Sequence, residues 1–428
     1  MARINPFNPN SPTPSGAFVG RVSELKRLER DLIQTRAENP CSFLITGERG
    51  IGKTSLLSYF KYVAEGLIKI DGEKMNFLVV DTDLDQNTTQ QGLLRKIELG
   101  LENKLAKSEK ARSFLKEAWT FLQRIETSAI KLRAGDENHL DEVVLEQFSY
   151  NLADVVNRAC NRDGGGVFDA GYDGMAILID EADNAPSSLG LGSFFKLLTE
   201  RLQKRGCNRV MIGLAGLPGV RDVLLESHPS SLRIFEELKL DPLTDDEVGF
   251  VIDGCLRIAS SKNNTIYRIT KDAKQYLIAL SEGYPHFIQQ FGSSAFDSDS
   301  DEVIDVDDAY KGAFAEHGAL ELIGDRYYRN DFYKKIQKNG YRQVLRIMAK
   351  SMDAWVSKQA IRQEFKGKDS VLDNAIKALR DRHIILSKEG EKGLYRLQQK
   401  GFAIWISLQT PQPDDPRMKP PARPGNTN

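Results

Sequence analysis

Between Phe43 and Leu57 the chain reads FLITGERGIGKTSLL, with Gly47 and Gly52 separated by four residues and followed at once by Lys53 and Thr54. That is the G-x-x-x-x-G-K-[ST] spacing of a loop that holds phosphates. Glycines let successive backbone N–H groups turn toward one point, and a helix start behind them adds its dipole. Gly47, Glu48, Arg49, Gly50, Ile51, Gly52, Lys53, Thr54 and Ser55 therefore form a candidate nucleotide cradle. In it Lys53 reaches the β- and γ-phosphates, and the Thr54 hydroxyl serves Mg²⁺.

A second set of chemical groups lies downstream, where Met175-Ala176-Ile177-Leu178-Ile179 runs into Asp180-Glu181-Ala182-Asp183. An apolar run ending in carboxylates describes a buried parallel strand with acids at its C-terminal end, the end where open α/β sheets place ligands. Asp180 is then the Mg²⁺-associated acid. Glu181 is placed to polarise an attacking water, which separates hydrolysis from mere binding.

These side chains need a sheet to hold them. Phe43–Thr46, Met75–Asp81, Met175–Ile179, Arg209–Ala215 and Glu237–Leu240 read as strands. Helical stretches lie between them, from about Thr88 to Ala159 and from Phe194 to Arg205. Alternating strands and helices predict an α/β fold with a parallel sheet covered on both faces.

Phe18-Val19-Gly20-Arg21, with Glu24-Leu25 behind it, resembles the F-[VI]-G-R-x-x-E-L box of AAA+ ATPases of the origin-recognition, replication-initiator type. The related signal-transduction ATPases with numerous domains (STAND) carry the same box. The resemblance implies ATP as the nucleotide, a P-loop sheet of AAA+ type, a helical lid, and contact of Phe18, Val19, Gly20 and Arg21 with the adenine. It implies that Arg233, in Ser231-Leu232-Arg233-Ile234-Phe235, is an arginine finger for a neighbouring subunit's γ-phosphate, with Arg221 as a competitor. Gly283-Tyr284-Pro285 resembles the G-x-P element of the lid, with Pro285 against the adenine. The chain departs from the family at two places. The strand ending at Ala215 lacks a polar sensor residue, Gly216 standing near its place, and the helix after Pro285 has no arginine in its first turns. Slow turnover, and a switch rather than a motor, are the expectation.

Past Leu243 the pattern is helical to about Phe296, followed by the acidic stretch Asp297 to Glu302, which reads as a solvated linker. From Tyr341 three helices are expected, at Tyr341–Lys350, from Trp355 onward, and at Ser370–Arg382. A hairpin follows, Ile384–Ser387 paired with Leu394–Leu397. This is the winged-helix order. Arg362, Lys366, Lys368, Lys377, Arg380 and Arg382 lie on or near the second and third helices, and Lys388, Lys392 and Arg396 flank the wing. They suit contacts to DNA phosphates. Glu364, Asp369, Asp373 and Asp381 dilute the patch, so a protein-binding role for the module stays open.

Over the 428 residues the formal net charge is −1, so global charge selects no partner. Cys41, Cys160, Cys207 and Cys255 have no metal-ligand spacing against the five histidines and fit a reducing cytosol. No apolar run approaches bilayer length, and MARINPFNPNSPTPSG lacks a signal's apolar core. A cytoplasmic protein without membrane contact is expected. The expected order is a flexible arm over 1–17, the ATPase domain over 18–242, and a helical lid over 243–312. A winged-helix domain with leading linker helices over 313–410 and a disordered tail over 411–428 complete it. Two functions follow. One is an ATP-hydrolysing AAA+ regulator that changes conformation or forms homo-oligomers on nucleotide and engages double-stranded DNA. The other is a STAND-type signalling switch, for example in bacterial defence or regulation, whose winged helix contacts a protein partner. A nucleotide-binding scaffold with little turnover is a third.

Overall fold

The computed structural model describes residues 3–11, 20–129, 137–161, 167–168, 171–329, 332, 336, 338–352, 354–382, 384–388 and 390–409. Phe18, Val19 and the tail over 411–428 lie outside the described residues. The chain divides into two compact units, one over Pro12–Asp241 and one that joins the residues up to Ser11 to those from Pro242 onward.

The first unit runs α1 (Val22–Arg36), β1 (Ser42–Gly47), α2 (Lys53–Ala64), β2 (Phe77–Asp83), α3 (Gln90–Leu105), α4 (Glu109–Ala129), α5 (Glu137–Cys160), β3 (Gly174–Asp180), α6 (Leu191–Lys204), β4 (Val210–Gly216), α7 (Val220–Ser227) and β5 (Phe235–Leu240). The strands form one sheet in the order β2-β3-β4-β1-β5. Every pairing in it is parallel. β1 and β4 are buried along their whole length, and β3 everywhere except Asp180, as expected of central strands sandwiched between helices. On one face Ile97 and Leu101 of α3, Leu152 and Val156 of α5, and Phe194, Phe195 and Leu198 of α6 close a single core. Phe60 of α2 meets Phe43 of β1 edge-on, with ring centroids 4.9 Å apart. The register sets Thr46 beside Gly216 and Asp83 beside Asp180, so three strand ends carrying polar groups converge on one edge of the sheet.

The second unit begins with α8 (Asp245–Asn263), β6 (Arg268–Ile269), α9 (Lys271–Ser281), α10 (Pro285–Ser298), β7 (Val303–Ile304) and α11 (Val306–Phe314). Thr244 and Glu247 close a capping box at the start of α8, and Asp305 and Asp308 do so for α11. Each box satisfies backbone N–H groups left open by the first turn. After α12 (Ala319–Ile323) and a π-turn at Gly324–Tyr328 come α13 (Asn339–Ala349), β8 (Val356–Ser357), α14 (Lys358–Glu364), α15 (Asp369–Asp381), β9 (Ile385–Ser387), β10 (Leu394–Leu397) and α16 (Lys400–Gln409). The three short strands pair antiparallel in the order β8-β10-β9, which makes this a winged helix. The helix expected from Trp355 starts three residues later: Val356 and Ser357 pair with β10, and the Ser357 hydroxyl then caps α14 through the Ala360 N–H at 3.0 Å. No helix among the described residues is long and apolar enough to cross a membrane.

Two expectations are overturned together. The arm is not free over residues 3–10: it lies along the lid. Ile4 exchanges backbone hydrogen bonds with the Asn263 side chain at 2.8 and 2.9 Å. Asn5 donates to Ser293 and Asp297, and the Asn8 N–H donates to Gln289 at 2.8 Å. Phe7 is buried against Gly292. Arg3 stacks over Phe296, 3.9 Å from its centroid, and pairs with Asp299. Nor is the acidic stretch a solvated linker at that point. The Asp299 side chain is fully buried and also accepts the N–H groups of Asp301 and Val303 at 3.1 and 3.2 Å. A buried carboxylate needs a counter-charge, and the chain's own Arg3 supplies it.

Lid and winged helix are joined inside this unit. Glu282, in the left-handed region at φ 50°, accepts the N–H groups of Lys400 and Gly401 at 2.9 and 2.8 Å and so caps α16. Beside it Phe287, Tyr328, Phe402 and Trp405 form a continuous aromatic seam.

Candidate functional site

The loop from Gly47 to Gly52 joins β1 to α2, with Gly50 at φ 81° and Gly52 at φ 99°. Residues with a Cβ rarely adopt these angles, so glycines at these two positions are what let the loop take this turn. Lys53 is folded back over the loop and donates to the carbonyls of Gly47 and Glu48, both at 2.9 Å. Burial pushes its ammonium below the ordinary lysine range, while Asp183 and then Asp180 pull it back up. An ammonium held by two neutral carbonyls can exchange them for phosphate oxygens, the stronger, charge-assisted partners. From under the loop the buried Arg21 donates to the Ile51 carbonyl at 3.2 Å, fixing its far side.

Opposite Lys53 the Thr54 hydroxyl donates to Asp180 Oδ2 at 2.6 Å. The two residues lie 126 apart in sequence. These hard oxygens on converging elements fit Mg²⁺. Glu181 is exposed and takes φ 53°, a left-handed conformation for a residue with a side chain. Its carboxylate accepts from Asn184 Nδ2 at 3.2 Å.

Next to Asp180 the ends of β2 and β3 and the outer face of α2 enclose a cleft of about 320 Å³, lined by Thr54, Ser58, Lys61, Asp81 and Asp83 among others. Lys61 pairs with Asp81 at 2.7 Å, and Lys96 bonds the Asp83 carbonyl at 2.8 Å. From the sequence alone Asp81 is only the last residue of a strand. The acids at the end of that strand were the signal, since Asp83 stands in register with Asp180. Asp183 has a role that its place in the acidic run does not disclose. Its Oδ1 accepts the Leu217 N–H at 2.8 Å, tying the turn after β3 to the end of β4.

Arg233 sits on a one-turn helix, Ser231–Ile234, before β5. It is exposed, and its guanidinium has no hydrogen bond or ion pair among the described residues. Its competitor Arg221 is tied to Glu237, which also accepts from Thr46 at 3.0 Å. Pro285 is the half-buried first residue of α10 in the other unit.

On the winged helix the basic residues are less available than their number suggests. Lys358 pairs with Asp373 at 2.5 Å, Arg362 with Asp369, Arg380 with Asp381 at 3.3 Å, and Lys388 with Glu391 at 2.5 Å. Arg396 lies over the Trp355 ring, 5.0 Å from its centroid. Lys366, Lys368, Lys377 and Lys392 are exposed.

Residues 17–209 match the family described as AAA ATPase domain. An uncharacterized HTH-type transcriptional regulator of Methanocaldococcus jannaschii is 28% identical over 253 residues, which cover 56% of this chain and 54% of that protein. The chain thus spans about half the length of this curated relative. Among solved structures, the Aeropyrum pernix ORC2 protein in its ADPNP-ADP complexes is 12% identical, with a TM-score of 0.52 over 95% of this chain and 98% of that one. Cdc6p from Pyrobaculum aerophilum is 13% identical, with a TM-score of 0.44 over 93% and 97%. Residues 17–209 are an AAA ATPase domain, and the chain around them has the AAA+ fold of the Aeropyrum ORC2 protein.

Proposed function

We propose that the protein is an Mg²⁺- and ATP-dependent switch whose winged helix engages DNA. The observation that carries the ATPase reading is the meeting of Thr54 with Asp180 at 2.6 Å beside Lys53, at the open end of a glycine loop. Lys53 and the loop N–H groups would bind the phosphates. Thr54 and Asp180 would hold Mg²⁺, which supplies positive charge against the phosphate oxygens when bound. Glu181, exposed at the same edge, would accept a proton from the attacking water. Arg233, unlike Arg221, is available to a neighbouring subunit in a homo-oligomer, and Arg21 would border the adenine. The Methanocaldococcus relative is described as an HTH-type transcriptional regulator, which supports DNA as the target of the winged helix.

A second reading, in which the winged helix grips a protein, is favoured by the ion pairs on α15. That helix carries Asp369, Asp373 and Asp381 against Lys377 and Arg380, a poor surface for a phosphate backbone.

Lys53→Ala should weaken ATP binding at least tenfold. Glu181→Gln should bind ATP with unchanged affinity and hydrolyse it at least a hundredfold more slowly; wild-type turnover in it removes Glu181 from the mechanism. Duplex DNA binding is then measured against salt. An affinity that falls steeply as salt rises supports phosphate contacts. No binding at low salt, with or without ATP, selects the protein partner.

A further inference from the structure

The polar sensor expected at the end of β4 is missing, and the structure shows what fills its space. Gly216 ends β4 beside Thr46 of the phosphate loop strand. A Cβ built on Gly216 would lie 2.8 Å from Asp183 Oδ1, 3.1 Å from the Asp183 nitrogen and 3.1 Å from Val220 Cβ. No residue with a side chain fits there without moving the carboxylate. The same Oδ1 takes the next N–H along, that of Leu217, at 2.8 Å.

We infer that Asp183 and Gly216 are a matched pair, in which Asp183 clips the turn bearing Glu181 to the end of β4 and so acts as a positioning residue for Glu181. The need for a clip is visible in the backbone. Glu181 stands at φ 53°, ψ 35°, a conformation that a residue with a Cβ holds only when its surroundings over-determine it. Its own N–H is taken by Asp180 Oδ1 at 2.8 Å, and its carbonyl by the Asn184 N–H at 2.9 Å. Those contacts are local to the turn. The Asp183–Leu217 bond joins it to a different strand, 34 residues away, and gives it a fixed reference. A charged oxygen paired with a backbone N–H is the stronger kind of hydrogen bond. The polar group missing from β4 has in this sense been moved to the turn after β3.

The inference rests on Glu181 as the hydrolytic base, and the experiment separates the two. Steady-state turnover and ATP affinity are measured for Asp183→Ala, Asp183→Asn, Gly216→Ala and Glu181→Gln, with hydrogen exchange at the Leu217 amide. Asp183→Ala and Gly216→Ala should each lower turnover about tenfold to a hundredfold, the cost of a reacting group displaced by about an ångström. ATP affinity should stay within about twofold of wild type in Gly216→Ala, which leaves the charges around Lys53 unchanged. Asp183→Asn keeps an oxygen for the Leu217 N–H and should restore turnover to within about threefold. If Asp183→Asn is as slow as Asp183→Ala, the carboxylate acts by its charge and the clip is refuted. Wild-type turnover in Asp183→Ala, with Glu181→Gln impaired, also refutes it. If Glu181→Gln itself turns over at the wild-type rate, the fault lies with the base, and amide exchange decides the clip. Slow exchange in wild type and Asp183→Asn with fast exchange in Asp183→Ala and Gly216→Ala sustains it, and equal exchange in all overturns it.

Discussion

Removing the guanidinium of Arg3 should loosen the lid helix α10 although Arg3 lies near the start of the chain. In Arg3→Ala the buried Asp299 loses its ion-pair partner, and Phe296 loses the cation over its face. Breaking a fully buried pair costs about 3–5 kcal/mol. Arg3 is 30% exposed, and Asp299 keeps the N–H groups of Asp301 and Val303, so the cost falls to about 1–3 kcal/mol. At about 1.4 kcal/mol per decade, local opening of α10 becomes roughly five- to 150-fold more frequent. Phe7→Ala tests the arm without touching a charge. Phe7 is 4% exposed and fills the gap over Gly292, so truncation should cost about 2–4 kcal/mol, near the lower end of buried Phe→Ala changes. Hydrogen exchange is the right assay, because a chain of two units does not melt as one cooperative transition. Amides of residues 289–296 should exchange faster in both variants, and those of β1 and β3 should not change. Unchanged exchange over 289–296 in both would show that the arm does not hold the lid.

Two other outcomes follow from named residues. With a non-hydrolysable ATP analogue the protein should assemble, and Arg233→Ala should lower turnover about 10³-fold, the usual scale for an arginine finger, whereas Arg221→Ala should change it little. A native mass measurement showing only monomer, with turnover intact in Arg233→Ala, makes Arg233 a surface residue. The pH dependence of stability should carry the mark of Cys207, whose thiol burial pushes up to about 12. The unfolded thiol ionises near pH 8.5. Between about pH 8.5 and 12 the folded state therefore binds more protons than the unfolded one, and stability falls as pH rises, by about 1.4 kcal/mol per unit from this group. Its contribution is complete below about pH 8.5. The stabilities of wild type and Cys207→Ala, from denaturant titrations at pH 8, 9 and 10, should diverge progressively and approach that pH slope only by pH 10; a constant difference would contradict the assignment.

The parts of the site that could be read in the sequence are those in which one short segment carries both the chemistry and its geometry. The glycine loop holds its own positive-φ residues next to Lys53 and Thr54, and β3 delivers Asp180 by ending where its apolar run ends. The alternation of strands with helices and the winged-helix order were legible for the same reason, since each strand and helix carries its own periodicity, whereas the sheet order β2-β3-β4-β1-β5 is set by pairings far apart in sequence. What stayed hidden depends on pairs far apart in sequence. Arg3 and Asp299 each look like an ordinary solvated charge until the fold buries one of them 296 residues from the other. The basic count on the winged helix overstates its field, because carboxylates on the next residue or on the neighbouring helix take up Arg380, Arg362 and Lys358.

The end of β4 is the sharpest case, and it changes what the missing sensor implies. Read along the strand, Ala215-Gly216 is a loss, and slow turnover follows from it. Read across the strands, the bare backbone of Gly216 is the condition for Asp183 to reach the Leu217 N–H, and a serine or asparagine restored at 216 would push that carboxylate away. The departure from the family pattern at 216 and the acid at 183 then count as one feature rather than two. Gly216→Asn, which on the strand-by-strand reading repairs a defect and should speed hydrolysis, is expected to slow it about tenfold. A rise in turnover in that variant would return the missing sensor to its simpler meaning.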